Sequence, residues 1–140
     1  MNNELDEQLV KKYPNIFKDR YSDMKSTAMC WGFECGDGWF WLIDRLCNYI
    51  QGYIDANPHL KIQQVVAVQV KEKFGGLRFY VNGGNEYIDG FISFAEHLSE
   101  DICEKCGSLE NIKSTKGWIK NLCVKCMDEY DIKNNKQKLE

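Results

Sequence analysis

Cys103-Glu104-Lys105-Cys106 and, after sixteen intervening residues, Cys123-Val124-Lys125-Cys126 decide how the C-terminal part of this chain folds. In a C-x2-C knuckle the backbone turns so that both sulfurs face one centre, and two knuckles complete a tetrahedron around Zn²⁺. Four thiolates close the coordination shell and leave no position for a reacting water, so Cys103, Cys106, Cys123 and Cys126 read as the ligands of a structural zinc. Between the pairs, Leu109 to Leu122 reads as a short hairpin turning near Lys116-Gly117, and Met127 to Lys136 as a polar helix. Knuckle, hairpin, knuckle and helix is the order of a treble clef. A zinc ribbon, which lacks the helix, is the alternative.

Upstream of the first knuckle, Tyr87, Ile88, Phe91, Ile92, Phe94, Ala95, Leu98 and Ile102 recur at helical spacing and predict a core helix over 86–102. A second helix is predicted over 37–56 from Trp39, Leu42, Ile43, Leu46, Cys47, Ile50, Tyr53 and Ile54. Asp37 stands where its N-cap belongs, and Asn57-Pro58 ends it. Gln63 to Lys73 and Leu77 to Val81 read as two strands of a hairpin around Gly75-Gly76, because primed turns need positive φ and glycine supplies it. Setting Phe74 opposite Leu77 puts Val70 against Val81 on one side, with Lys73 against Arg78 and Lys71 against Tyr80 on the other. That register leaves Glu72 facing Phe79 among apolar residues, a defect that asks for a bulge or a longer loop. Residues 2–17 read as a short amphipathic helix ended by Pro14, and 28–38 as a structured loop or short irregular strand. The expected fold is α+β. Residues 1–102 form a small antiparallel hairpin sheet packed by two amphipathic helices, continuous with a four-cysteine treble-clef or zinc-ribbon module over 103–140.

Composition narrows the classes. A chain of 140 residues with 44% hydrophobic and 13% aromatic content can bury a core and is not disordered. A net charge of −3 argues against wholesale coating of nucleic acid but leaves room for a local basic face. No apolar run approaches the roughly 18 residues of a membrane span, and Met1 opens no charged-then-apolar leader. A cytoplasmic location and no membrane partner are therefore expected. In a reducing compartment, an odd count of seven cysteines fits metal ligands and buried thiols better than disulfides.

Several surfaces could carry function. Lys71, Lys73, Arg78 and Tyr80 share one hairpin face and could bind a nucleotide, a nucleic-acid phosphate or an acidic protein surface; the plainer reading is a solvated sheet face. Trp31, Phe33, Trp39, Phe40 and Trp41, with Asp37 among them, exceed what one helix start needs and suggest a pocket or partner surface. Cys30 and Cys35 could be half of a second metal site completed by Cys47, His59 or His97, or simply packed thiols. In the zinc module, Lys105, Lys113, Lys116, Lys120, Lys125 and Trp118 either meet phosphates and bases or keep the module soluble and cover the metal. Catalysis finds little support. His59 and His97 fall in no pattern with Ser or Cys, and Glu34, Asp37 and Asp44 would hold a divalent ion only if the fold joined them.

The blocks Glu34-Cys35-Gly36-Asp37-Gly38-Trp39, Lys71-Glu72-Lys73-Phe74-Gly75-Gly76-Leu77-Arg78-Phe79-Tyr80, Cys103 to Gly107 and Gly117 to Cys123 together resemble a group of small proteins encoded by bacteriophages, prophages and some bacteria. The resemblance covers roughly residues 28–126. It implies a phage or prophage setting and activity in the bacterial cytoplasm, where small accessory phage proteins often act by blocking a host defence or regulatory protein, sequestering a signalling nucleotide or contacting nucleic acid. The function expected is that of a non-catalytic, zinc-stabilised binding protein with a bacterial protein target. Binding of nucleic acid, binding of a nucleotide or small molecule, and metal-dependent hydrolysis are the alternatives.

Overall fold

The computed structural model describes residues 1–137, so the last three positions of the 103–140 module lie outside the described residues. Helix α1 (Asn3–Lys12) starts where the Asn2 side chain accepts from the Leu5 N–H, and it stops at Tyr13 ahead of Pro14. Strand β1 (Phe33–Glu34), helix α2 (Phe40–Ala56), strands β2 (Gln63–Lys73) and β3 (Gly76–Gly84) and helix α3 (Glu86–Ser99) follow. The C-terminal part adds β4 (Lys113–Ser114), β5 (Asn121–Leu122) and α4 (Val124–Gln137). No helix among the described residues is long and apolar enough to cross a membrane. The architecture is the expected α+β, with the helix of 86–102 ending three residues early in a turn.

The main sheet has the order β1-β2-β3. β2 and β3 are the antiparallel hairpin, and β1 adds two residues parallel to β2, Phe33 beside Val70 and Glu34 beside Lys71. The 28–38 stretch, expected as a structured loop or short irregular strand, supplies this third strand after a 3₁₀ turn over Ala28–Trp31. On the inner face Phe17 meets Phe33 and Phe79 edge to face, with ring centroids 4.9 and 6.3 Å apart. Trp39, Ile43, Ile50, Val65, Leu77 and Ile88 complete the core. β3 is an edge, and α3 covers it chemically as well as sterically. The Leu77 N–H donates to Ser99 Oγ and the Phe79 N–H to Glu96 Oε1, both at 2.8 Å, which satisfies donors an uncovered edge would present.

The hairpin register differs from the sequence expectation. The two turn residues are Phe74 and Gly75, so Lys73 pairs with Gly76, Glu72 with Leu77, Lys71 with Arg78 and Val70 with Phe79. Both turn residues have positive φ, 52° for Phe74 and 84° for Gly75, as a type I′ turn requires. The shift removes the clash of Glu72 with Phe79, and the Glu72 carboxylate instead accepts the Gly75 N–H at 2.8 Å. The bulge falls farther along, between Ala67 and Gln69. Phenylalanine in the left-handed region is uncommon, which is why composition alone favours Gly75-Gly76 as the turn.

Asp37 does not cap α2. The helix is entered through a 3₁₀ turn, Asp37–Trp39, with Trp39 at the cap position and no side-chain cap bond. The Asp37 carboxylate accepts instead from Asn2, through its backbone N–H at 2.7 Å and its side-chain amide at 3.0 Å. The far end of α1 is tied down by a second carboxylate. Asp44 accepts from Lys12 at 2.7 Å, from the Tyr13 hydroxyl at 2.8 Å and from Arg45 at 2.8 Å. Burial alone would raise the Asp44 pKa, but these donors hold it at about 2, below its ordinary 3.8. A depressed carboxylate stabilises the fold above its unfolded pKa, and the contribution fades as pH falls toward the folded value. Linkage puts it at about 2 kcal/mol. Asp44→Asn should therefore lose stability of that order at pH 7. In paired urea titrations, the gap from wild type should narrow steadily between pH 4 and pH 2.

Candidate metal centre and the loops around it

Each C-x2-C pair sits at a change of backbone direction. After α3 the chain turns through Ile102 into the first knuckle, where the Gly107 N–H donates to Cys103 O and the Cys103 N–H to Ser108 O, both at 2.8 Å. β4 and β5 pair antiparallel, Lys113 with Leu122 and Ser114 with Asn121, and deliver Cys123 to the start of α4, whose first turn carries Cys126. The four sulfurs lie within 4.8 Å of one another, and all seven cysteines are free thiols. Cys106 Sγ and Cys123 Sγ are 3.7 Å apart, far beyond a disulfide bond. Metal–sulfur bonds of about 2.3 Å place the sulfurs of a regular tetrahedron about 3.8 Å apart. The set could therefore hold one metal ion, with the Cys106–Cys123 pair already at the tetrahedral spacing. No open edge is needed for a fifth ligand.

The protonation of the sulfurs fits the same use. Burial resists ionisation of Cys103, but backbone N–H groups of Cys123, Cys106 and Lys105 favour the thiolate and bring its pKa down to about 7. Burial and the three neighbouring sulfurs push Cys126 up. The Cys103 proton leaves easily, while those of Cys106 and Cys126 are held. A cation bound among them replaces those protons.

The metal module is not a separate bead. Its first knuckle is locked against the Cys35-Gly36-Asp37-Gly38 loop. The Gly38 N–H donates to Glu104 O at 2.8 Å, the Gly36 N–H to Glu104 Oε1 at 3.0 Å, and Trp39 Nε1–H to Ile102 O at 3.1 Å. Glu104 is buried and also receives Lys120 Nζ at 3.0 and 3.1 Å. A Cβ on Gly38 would stand 2.1 Å from Cys103 O, and one on Gly36 2.2 Å from Glu104 O. On the other side Asn121 Nδ2 donates to Gly75 O at 3.0 Å, fastening the tip of the β2–β3 hairpin to β5. Three blocks that stand apart in sequence thus meet at the module.

Of the other candidate residues, Lys71, Lys73, Arg78 and Tyr80 do gather on the outer sheet face. Their pairings are changed: Lys71 faces Arg78 and Gln69 faces Tyr80. Trp31 is exposed. Trp39 is not a surface residue as expected; it is fully buried, its ring in the main core and its N–H spent on Ile102. Among the described residues the four C-terminal cysteines are the only converging metal-ligand set, so Cys30, Cys35, Cys47, His59 and His97 assemble no second one. Burial raises Cys35 to about 12 and pushes Cys47 well above its ordinary value, as befits packed thiols. Glu34, Asp37 and Asp44 do not converge either; each is engaged separately, by Gln69, Asn2 and the Lys12–Tyr13–Arg45 group.

One surface escaped the sequence reading. Beside the buried stripe of α2, Trp41 and Tyr49 are 66 and 61% exposed, and on the stripe of α3 Phe94 and Leu98 are 64 and 37% exposed. They line a groove of about 400 Å³ between α2 and α3, floored by Leu42, Leu46 and Ala95. Tyr49 and Phe91 pack edge to face across it, with centroids 4.6 Å apart. The i, i+4, i+8 step of Trp41, Arg45 and Tyr49 was the available signal, an aromatic ridge beside the core stripe. Comparison of the chain with protein-family models, curated proteins and solved structures gave no match.

Proposed function

We propose that this is a non-catalytic binding protein, held together by one structural zinc, that acts as a phage-type accessory protein by engaging a bacterial host or defence protein through the α2–α3 groove. The observation that carries the reading is the pairing of a closed metal site with an open apolar groove. A four-thiolate tetrahedron suits zinc, and the order knuckle, hairpin, knuckle, helix is that of a treble clef. Such a site organises backbone and offers no position to a substrate. The groove, by contrast, presents large aromatic side chains of the kind that anchor protein interfaces, and its two-helix walls suit a third helix from a partner. The phage-type setting rests on the sequence blocks.

The test is an affinity capture from bacterial lysate with wild type and with Trp41→Ala/Phe94→Ala. Both changed residues are exposed, so the fold should melt at an unchanged temperature. The expected result is a discrete protein captured by wild type in high salt, lost with the double variant, and forming a stoichiometric complex when purified. Equal capture by the double variant would remove the groove as the binding site.

A further inference from the structure

The two hairpin tips, brought side by side by the Asn121–Gly75 hydrogen bond, enclose a cleft of about 350 Å³ lined by Lys71, Glu72, Lys73, Phe74, Trp118 and Ile119. Three observations make this cleft more than a seam.

The first is aromatic. Phe74 and Trp118 are 74 and 72% exposed, the former at a φ of 52° that a bulky side chain adopts only at a cost. Asparagine or glycine would make a better turn there, so local folding does not explain the ring. The Trp118 backbone is held firmly while its indole is left bare: Thr115 Oγ–H donates to Trp118 O, and the Lys120 N–H donates to Thr115 Oγ.

The second is charge. Lys71 and Arg78 stand directly opposite each other on the sheet, an arrangement that costs stability unless something anionic lies over it. Lys73 lies beside them over the Phe74 ring, 5.7 Å from its centroid, and Lys116 precedes the second tip. Among the described residues only Lys12, Arg20, Arg45, Lys105 and Lys120 have a carboxylate partner, and Lys71, Lys73, Arg78 and Lys116 have none. It is the clustering of the cleft cations beside two bare rings, and not the lack of a partner alone, that sets them apart. Three carboxylates share the neighbourhood: Glu72, which accepts the Gly75 N–H, Glu34, which accepts from Gln69, and Glu100, which stands with the Arg78 guanidinium beside Gly76.

The third is shape. The cleft lies between the two hairpin tips and is neither sealed nor flat, with Lys71 and Lys73 on one wall and Trp118 and Ile119 on the other.

We infer that this cleft binds single-stranded nucleic acid, a base stacking on Phe74 and Trp118 while the phosphodiester chain runs over Lys71, Lys73 and Arg78. Exposed aromatic faces interleaved with unpaired cations are the two components of sequence-tolerant single-strand binding. An acidic protein surface would use the cations but leave two bare rings unexplained. The cleft shares no lining residue with the α2–α3 groove, so the failure of either assignment leaves the other standing.

The test is fluorescence anisotropy with the zinc-loaded full chain and labelled 12-mers, oligo-dT and oligo-U, with a 12-base-pair duplex alongside. Single strands should bind more tightly than duplex, and the oligo-dT and oligo-U arms identify which sugar is preferred. Trp118→Ala and Phe74→Asn should each weaken binding roughly 5- to 100-fold. Asparagine tolerates the positive φ, so the second variant should fold at least as well as wild type. Lys71→Ala and Lys73→Ala should each reduce the dependence of log affinity on log salt by about 0.7. Absence of binding to either strand would overturn the assignment. So would equal affinity for duplex, or binding that polyglutamate displaces and that the two aromatic variants leave unchanged, the signature of a plain acidic-surface site.

Discussion

Cys106→Ser, or removal of the metal by a strong chelator, is expected to unfold residues 103–137 and lower the melting temperature of the whole chain by more than roughly 10 °C. The module has almost no other means of holding its shape. Apart from three of its cysteines, its only fully buried apolar side chain is Leu122, with Ile112, Met127 and Tyr130 partly covered. Full burial of one leucine contributes about 1.5–3 kcal/mol. Ordering each residue of backbone costs about 1–2 kcal/mol, so a segment of this length needs far more than that. Structural zinc supplies apparent binding energies of about 10–16 kcal/mol in comparable small modules. Cys106 is exposed, which makes the serine variant a clean test because it opens no cavity. Elemental analysis should find one zinc per wild-type chain. Hydrogen exchange should show protection lost over 103–137 and also at Gly36 and Gly38, whose N–H groups bond to Glu104. A chain that is metal-free and fully protected would overturn both the metal and its role.

The second large effect is expected from Gly38→Ala. The new methyl carbon would lie 2.1 Å from Cys103 O, 2.6 Å from Glu104 O and 2.6 Å from the Gly107 nitrogen. All three are backbone atoms, and two belong to the knuckle itself, so nothing can swing aside. Either the knuckle backs away and breaks the Gly38–Glu104 hydrogen bond, or the sulfur geometry is spoiled. A cost of about 3 kcal/mol or more follows from overpacking plus the lost bond. Gly52→Ala and Gly90→Ala supply the contrast. Both glycines lie in helices with nothing within 4 Å of the added carbon, and each substitution should stabilise by about 0.5–1 kcal/mol. Chemical denaturation of the three variants should place Gly38→Ala on the opposite side of wild type from the other two. If Gly38→Ala melts with wild type, the interlock is not formed.

What could be read from the chain, and what could not, divides by the range of the signal. The cysteine pairs, the apolar stripes of α2 and α3 and the β-branched run of β2 carry their message in neighbouring residues, and all four elements are where that message puts them. The hairpin turn was misplaced by one position because Phe74 gives no local hint of a positive φ. Contacts from Glu72 and, across the molecule, from Asn121 accompany the turn that forms. Asp37 looks like a cap until Asn2 competes for its carboxylate. Gly36 and Gly38 are the sharpest case. They read as loop punctuation, yet their purpose is to let one backbone pass against another 68 residues farther along. Trp39 was grouped with the surface aromatics because burial depends on that same contact.

That interlock also orders events in the life of the molecule. Phe33 and Glu34 are held by β2, but the Gly36–Gly38 end of the loop cannot be fastened until the first knuckle exists, and a knuckle that awaits a metal takes its final form late. Long-range closure of this kind comes late in folding, after the helices and the hairpin have formed on their own. A newly made chain waiting for metal should therefore linger with that end of the loop open, in reach of proteases that act on unfastened segments. Abundance should then follow metal supply through turnover, so that filling of the four-cysteine site decides how much of the protein survives.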